Sequence, residues 1–459
     1  IWGGTTNIAV YNWYTPPGTA GSASNYPAGC VATAWAQILR FHQWPQVGVG
    51  TRYFNITVNG VSQSVPLRGG DGAGGPYDWA NMVLDPDASI TVPQRQAIGA
   101  LLKDVGVVNN MSYTRTSSSA YVSTDWFKEV FHYTSAVTCT GGLPDILLAS
   151  RTNLDAGLPV AVSMRTESNI GHLVVCDGYG YNLQTLYHHL NMGWGGTCDT
   201  WYNFPNVDTG YYLFNTLMSC SYNLDPQVAG EIISGRIADA AGNPVAGVTV
   251  TVSGPSTATA VTNARGLFAV KGLASNATWV VTHDGAAQGV VPAQVTVTTG
   301  ASTDGSAVGN RVVDDFHRIL PPKITAQPAN QCVFAGMATS FTVAVSDNPT
   351  PSLQWQVSTD GGSHWSDLSD TAPYGGTGTV KLTITGVTAA MYGYQYRCVA
   401  SNALAKSVIS DAAILSLALP GSLWATGRNY EGQLGDGTMA YRTAPAPILA
   451  GGVQAVSAG

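Results

Sequence analysis

Behind Cys30 the apolar residues Val31, Ala34, Trp35, Ile38 and Leu39 recur at the steps of a helical stripe, which predicts a helix opening at Cys30. Pro45 closes it, because the proline ring and missing N–H cannot continue the ladder. A second stripe, Ile98, Leu101, Leu102 and Val105, predicts a helix over 93–105, and 122–131 and 143–156 read as two more, the last ended by Gly157. Residues 51–65 alternate with period two around Asn59-Gly60, the signal of a tight hairpin. Strand patterns dominate from 159 to 222. A helical half followed by a strand half predicts a two-lobed α+β body with a cleft between the lobes. The glycine-rich stretch 69–75 lacks the Lys-Ser/Thr and helix of a phosphate cradle and reads as a surface loop.

At Pro226 the pattern changes to short β-segments. Residues 235–250 read as strand, turn, strand, and 262–270 as a second hairpin. Beyond Pro321-Pro322 another β-rich unit contains Trp355 and then Tyr396-Arg-Cys398. A glycine-punctuated segment, 423–438, follows.

Composition narrows the function classes. The chain has 459 residues, too many for a single core. Only 10% are charged and the net charge is −7, so no basic stripe invites nucleic acid or an acidic membrane surface. No apolar run is long enough to span a bilayer as a helix, so no membrane insertion is expected. Sparse charge with abundant Thr, Ser, Gly and Val suits secreted β-rich modules. The chain opens without Met and stops inside the last segment, which reads as a piece or processed form of a longer protein.

Seven cysteines are present. If Cys30 is a free nucleophile, six remain, and Cys198 with Cys220 and Cys332 with Cys398 each fall within one apparent domain. Cys176 lies in a strand pattern and reads as buried and inert.

Candidate chemistry centres on Cys30. A thiol in the first turn of a helix sits where unpaired backbone N–H groups and the helix dipole favour the thiolate. His172 enters an apolar strand about 140 positions later, within the spacing of a papain-like Cys and His. Asn191 and Trp194 follow a second strand. His188 and His189 read as a half-solvated strand pair and His42 as a packing or dipole residue; no metal-ligand set or cofactor motif is present.

Gly29-Cys30-Val-Ala-Thr-Ala with Ala36-Gln-Ile and His42-x-x-Pro45, then Gly171-His172 and Gly193-Trp194-Gly-Gly196, resemble the streptopain family of cysteine peptidases. Tyr77-Asp-Trp79 and Leu102-x-Asp-Val-Gly106 sit where that family carries similar segments. The resemblance implies a peptidase that acts through a Cys30 thiolate and a His172 imidazolium, with Asn191 or Trp194 orienting or shielding the ring. The Cys30 N–H would be one oxyanion donor. The family's second donor is an upstream Gln, and residues 1–29 contain none; Asn12, Trp13 and Asn25 are the candidates to replace it. Met192 stands where the family has a tryptophan.

Downstream, 228–318 resembles the carboxypeptidase regulatory-like sandwich, expected to act as a spacer. The third unit resembles an immunoglobulin-type sandwich, with Trp355 in its core and Tyr396 two residues before Cys398 as the tyrosine corner. Residues 423–438 resemble one blade repeat of the regulator-of-chromosome-condensation type.

The expected architecture is multidomain. An α+β papain-like peptidase domain (1–224) precedes two all-β sandwich modules (226–319 and 320–418) and one partial propeller repeat (420–459). The expected function is a secreted cysteine endopeptidase acting on a protein or peptide substrate, its C-terminal modules binding an extracellular or cell-surface ligand. The rival reading is an adhesin or surface scaffold with a degenerate peptidase domain. A transglutaminase or amidase would need an Asp in the place of Asn191.

Overall fold

Helix α1 (Cys30–His42) forms where the stripe predicts it and buries Val31, Ala34, Trp35, Ile38 and Leu39. We describe a computed structural model, over residues 10–302, 305, 307–346, 350–402, 404, 406–418 and 423–449. Gly29 caps α1 with φ 89° and offers no side-chain cap to the first-turn N–H groups. Gln43, in the left-handed region, ends the helix two residues before Pro45. The ring of Trp35 meets Phe127 edge-on at 4.9 Å in the core of this lobe.

The hairpin of β1 (Tyr53–Val58) and β2 (Val61–Pro66) turns through Asn59 and Gly60, both at positive φ as a two-residue turn requires. Helix α2 (Val92–Val108) starts with a capping box between Thr91 and Gln94. Strands β3 (Ser112–Tyr113) and β4 (Ser118–Ser119) complete a four-stranded sheet in the order β2-β1-β3-β4. The helix expected over 122–131 is shorter. Helix α3 covers only Asp125–Glu129, because the N–H groups of Val130 and Phe131 both turn back to the Trp126 carbonyl and His132 takes φ 55°.

The second lobe is one six-stranded sheet. Its strands are β5 (Ser135–Cys139), β6 (Val160–Arg165), β7 (Gly171–Asn182), β8 (Thr185–Asn191), β9 (Thr200–Tyr202) and, beyond the short β10 (Val207–Asp208) and β11 (Leu213–Phe214), β12 (Thr216–Asp225). The order is β5-β12-β6-β7-β8-β9. Helix α4 (Leu143–Asp155) lies against β12, β6 and β7.

The same helix also packs on strands Glu231–Arg236, Leu267–Leu273 and Arg311–Val312, one sheet of the following sandwich. Its other sheet contains Thr249–Ser253, Thr257–Val261, Thr278–His283 and Gln294–Thr298, and Val250, Val252, Phe268 and Trp279 are buried. The expected hairpins are arches instead: Thr257–Val261 pairs with Thr249–Ser253, while Leu267–Leu273 crosses to pair with Glu231–Arg236. Alternating sheets in this way lets each segment bury one face.

A buried polar network joins this sandwich to the preceding lobe. Asn223 donates its main-chain N–H to Asn153 Oδ1 (2.8 Å) and accepts from the amides of Asn153 (3.1 Å) and Asn310 (3.0 Å). Asn310 also donates to Thr152 Oγ1 (2.8 Å) and accepts from the Ile232 N–H (2.9 Å). The carboxylate of Asp155 takes the hydroxyls of Tyr179 (2.6 Å) and Ser234 (2.7 Å), and Arg151 bonds Asp314 at 2.6 Å. The expected spacer is therefore a fused part of the same compact unit, which runs to Ile237 and includes Pro244–Ala286 and Pro292–Phe316.

The second compact unit holds Ala238–Asn243, Ala287–Val291 and the chain from His317 onward. Trp355 on Ser352–Ser358 stands opposite Cys398 on Gln395–Ser401, and both are fully buried. Phe341 packs on Tyr396 with centroids 4.8 Å apart. The expected Cys332–Cys398 bridge is absent: Cys332 pairs in register with Ser416, and both thiols are free. Leu423–Gly427 and Arg442–Leu449 form a two-stranded ribbon and no more of a propeller among the described residues.

Candidate active site

The first residue of α1 meets the first residues of β7. The backbone N–H of Leu173, the neighbour of His172, lies near enough to the Cys30 sulfur to favour its thiolate, as do the N–H groups of Cys30 and Val31 at the helix start. Gly29 makes this approach possible, since its φ is one that side chains resist and a Cβ there would crowd Ser118 at 3.0 Å.

His172 is buried and donates its Nε2–H to the Met192 carbonyl at 2.9 Å. An oxygen acceptor requires the Nε2–H tautomer, which leaves Nδ1 unprotonated and able to take a proton. The Trp194 ring lies 4.9 Å from it, tilted by 32°, and Phe214 stacks on it at 5.6 Å and 20°. Tyr212 continues the aromatic wall, 5.9 Å from Phe214 and half exposed.

Asn191 does not hold the imidazole. Its Oδ1 accepts the Gly193 N–H (3.0 Å) and the Gln37 amide of α1 (3.2 Å), while Asp199 takes the Met192 N–H at 2.8 Å. These bonds fix the turn that aims the Met192 carbonyl at His172. Sequence reasoning missed this acceptor because a main-chain carbonyl leaves no residue signature.

Burial pushes the Cys30 thiol above its ordinary range, opposed by the three main-chain N–H groups. Burial also holds His172 down, at about 4, opposed by the Met192 carbonyl. Both directions favour a neutral thiol and a neutral imidazole. The ion pair expected from the sequence thus requires the mutual attraction of the two groups to exceed their desolvation.

The upstream candidates are engaged elsewhere. Asn12 donates to the Asn25 carbonyl (3.0 Å), and the Asn25 amide donates to the carbonyls of Asn12, Trp13 and Thr19. The Trp13 ring packs against Gly21 and Gly99, with its buried Nε1 lacking a hydrogen-bond partner. None of these bonds reaches Cys30. His188 is not half-solvated: it is buried, stacked on Phe204 at 4.3 Å, with neither ring nitrogen hydrogen-bonded. His189 pairs with Asp177 at 2.6 Å, and the His42 ring packs edge-on to Tyr133. No group of three or more metal-ligating side chains occurs among the described residues. No helix among them is long and apolar enough to cross a membrane.

Residues 6–202, which contain this site, match the Peptidase C10 family; 232–308 match the carboxypeptidase regulatory-like domain and 321–402 the immunoglobulin domain. These matches describe a multidomain chain that includes a segment similar to cysteine-type peptidases. Streptopain of Streptococcus pyogenes is 28% identical over 224 residues, covering 43% of this chain and 52% of that protein. The thiol protease/hemagglutinin PrtT of Porphyromonas gingivalis is 28% identical over 178 residues, 37% of this chain and 19% of that one. The chain thus spans about half the length of the streptopain relatives it matches. Among solved structures, active wild-type interpain A cysteine protease of Prevotella intermedia aligns at 26% identity and a TM-score of 0.41, over 48% of this chain and 90% of that one.

Proposed function

We propose that this chain is a secreted cysteine endopeptidase in which Cys30 attacks the scissile carbonyl and His172 handles the proton. The carrying observation is the packing of α1, which opens with Cys30, on β7, which opens with Gly171 and His172, the imidazole Nε2 being held by Met192. In this reading Nδ1 of His172 accepts the thiol proton as sulfur bonds to carbon, then returns it to the leaving amine. Water hydrolyses the resulting thioester. The uncapped first turn of α1 supplies the Cys30 N–H to the oxyanion. Trp194 and Phe214 keep the ring in plane and limit water, and Asn191 is a positioning residue. The fused sandwich extends the catalytic unit, and the immunoglobulin-type module with the 420–459 segment is left to bind an extracellular ligand.

Alkylation tests this reading. Iodoacetamide or an epoxysuccinyl probe should label Cys30 at pH 6, with casein cleaved by the wild-type chain and not by Cys30→Ser. In His172→Ala, labelling should move to alkaline pH, because burial alone then sets the raised thiol pKa. Wild-type labelling confined to alkaline pH, with no casein cleavage, would overturn it.

One observation favours the second reading, a surface scaffold with a degenerate peptidase domain: the Asn12 and Asn25 side chains hold the loop together instead of facing Cys30. Lack of a side-chain oxyanion donor slows such an enzyme by about 10²–10³. Casein turnover separates the two readings.

A further inference from the structure

Three thiols that the proposed chemistry does not use lie in the core of the strand lobe: Cys139, Cys176 and Cys220, all with no exposed surface. Cys139 on β5 and Cys220 on β12 stand directly opposite in an antiparallel pair. Directly opposed residues have Cα atoms about 4.5 or 5.5 Å apart, depending on the type of site. Either value falls in the range of roughly 4.4–6.8 Å that a disulfide bridges without backbone movement. Residues directly opposite also project from the same face of the sheet, so both side chains enter the same core. Cys198, the partner suggested by sequence proximity, instead directs its thiol to the Thr209 carbonyl at 3.5 Å. Cys176 sits on β7, separated from β12 by β6.

We propose that Cys139 and Cys220 are a disulfide site, closed when the chain folds in an oxidising compartment. The residues between them carry α4, His172, Met192 and Trp194, so the bond encloses the entire imidazole half of the site. Strand β5 is the edge of its sheet and can open locally, which gives an oxidant access to Cys139. Cys139 is the attacking thiol, since it lies on the edge strand while Cys220 lies on β12 between β5 and β6. With a low-molecular-weight disulfide such as oxidised glutathione, the Cys139 thiolate displaces one glutathione thiolate to form a mixed disulfide. The Cys220 thiolate then displaces the second. Two protein thiols lose two electrons and two protons, and one glutathione disulfide becomes two thiols. The occurrence of this bond in the natural protein rests on the secreted reading, but its formation in a redox buffer does not.

The test refolds the full chain carrying Cys30→Ser, which prevents shuffling by the site thiol, in a reduced and oxidised glutathione buffer. Free thiols are then alkylated and the protein digested without reduction. We expect a single cross-linked peptide pair containing Cys139 and Cys220, lighter by about 2 Da than the sum of the two free-thiol peptides. Recovery of both cysteines as separate alkylated peptides, or linkage of Cys220 to Cys198, overturns the proposal. As a second reading, reductant should lower the Tm by roughly 5–10 °C in this chain and leave it unmoved when Cys139→Ala and Cys220→Ala are added. An equal shift in that variant would count against the site.

Discussion

Helices α1 and α4 use their polar surroundings in opposite ways. Around α4, Thr152, Asn153, Asn223 and Asn310 satisfy one another and Asp155 accepts from Ser234 across the seam with the sandwich. Around α1, Gly29 provides no side-chain cap, and His172 has one acceptor and two aromatic neighbours. Saturated hydrogen bonding makes the α4 seam rigid, because breaking any member strands another in a dry core. Incomplete hydrogen bonding leaves the α1 terminus with capacity for a substrate. In the proposed mechanism the contrast separates a joint from a reaction centre.

The largest effect expected at the reaction centre is that of Cys30→Ala, which should lower peptide hydrolysis by at least ~10³-fold. Its denaturant midpoint should stay close to that of the wild type, because the seam is untouched. At the seam the pattern should reverse. Asn223→Ala takes from the buried amides of Asn153 and Asn310 the acceptor they share, leaving them the Ala149 carbonyl and Thr152 Oγ1, and should cost about 2–4 kcal/mol in urea unfolding. Alkylation of the remaining folded protein at Cys30 should be unchanged; a loss of labelling equal to the loss of stability would merge the two regions into one.

Acid sharpens the contrast next. His42, His172 and His188 are held at about 4 by burial, below the ordinary histidine value of 6.5. Between these values the unfolded chain binds protons that the folded chain refuses. Stability is therefore intact above about pH 6.5 and falls as the pH drops toward 4. His188→Leu removes one such group at a site lacking hydrogen bonds and should flatten the decline by roughly 2–3 kcal/mol. An unchanged slope in urea titrations at pH 7 and 4.5 would contradict it. The smallest effect is that of Gln37→Met, which deprives Asn191 of its α1 donor. It should lower kcat about fivefold and displace the acid limb of the pH profile, with the Tm little changed.

What the sequence disclosed follows from which groups carry the information. The α1 stripe, the Asn59-Gly60 turn and the α2 cap are local, side-chain-encoded features, and they appear where their residues dictate. Cys30 and His172 could be matched because side-chain type and spacing were informative. The expected helix over 122–131 had an apolar pattern, but its last residues fold back on Trp126. Asn153, Asn223 and Asn310 lie far apart along the chain, and isolated asparagines look like surface residues until tertiary structure closes around them. The arches of the sandwich were hidden for a related reason: a strand's alternation does not say which sheet it joins.

The group that orients the catalytic ring in the proposed mechanism is the carbonyl of Met192. An alanine scan cannot delete it, and the genetic code offers no codon that lacks it. Drift at position 192 is limited by fit to the buried site, so chains that share the device need share no letter there. Finding it in other genomes calls for comparison of loop shape, and altering it by protein engineering calls for moving the loop itself.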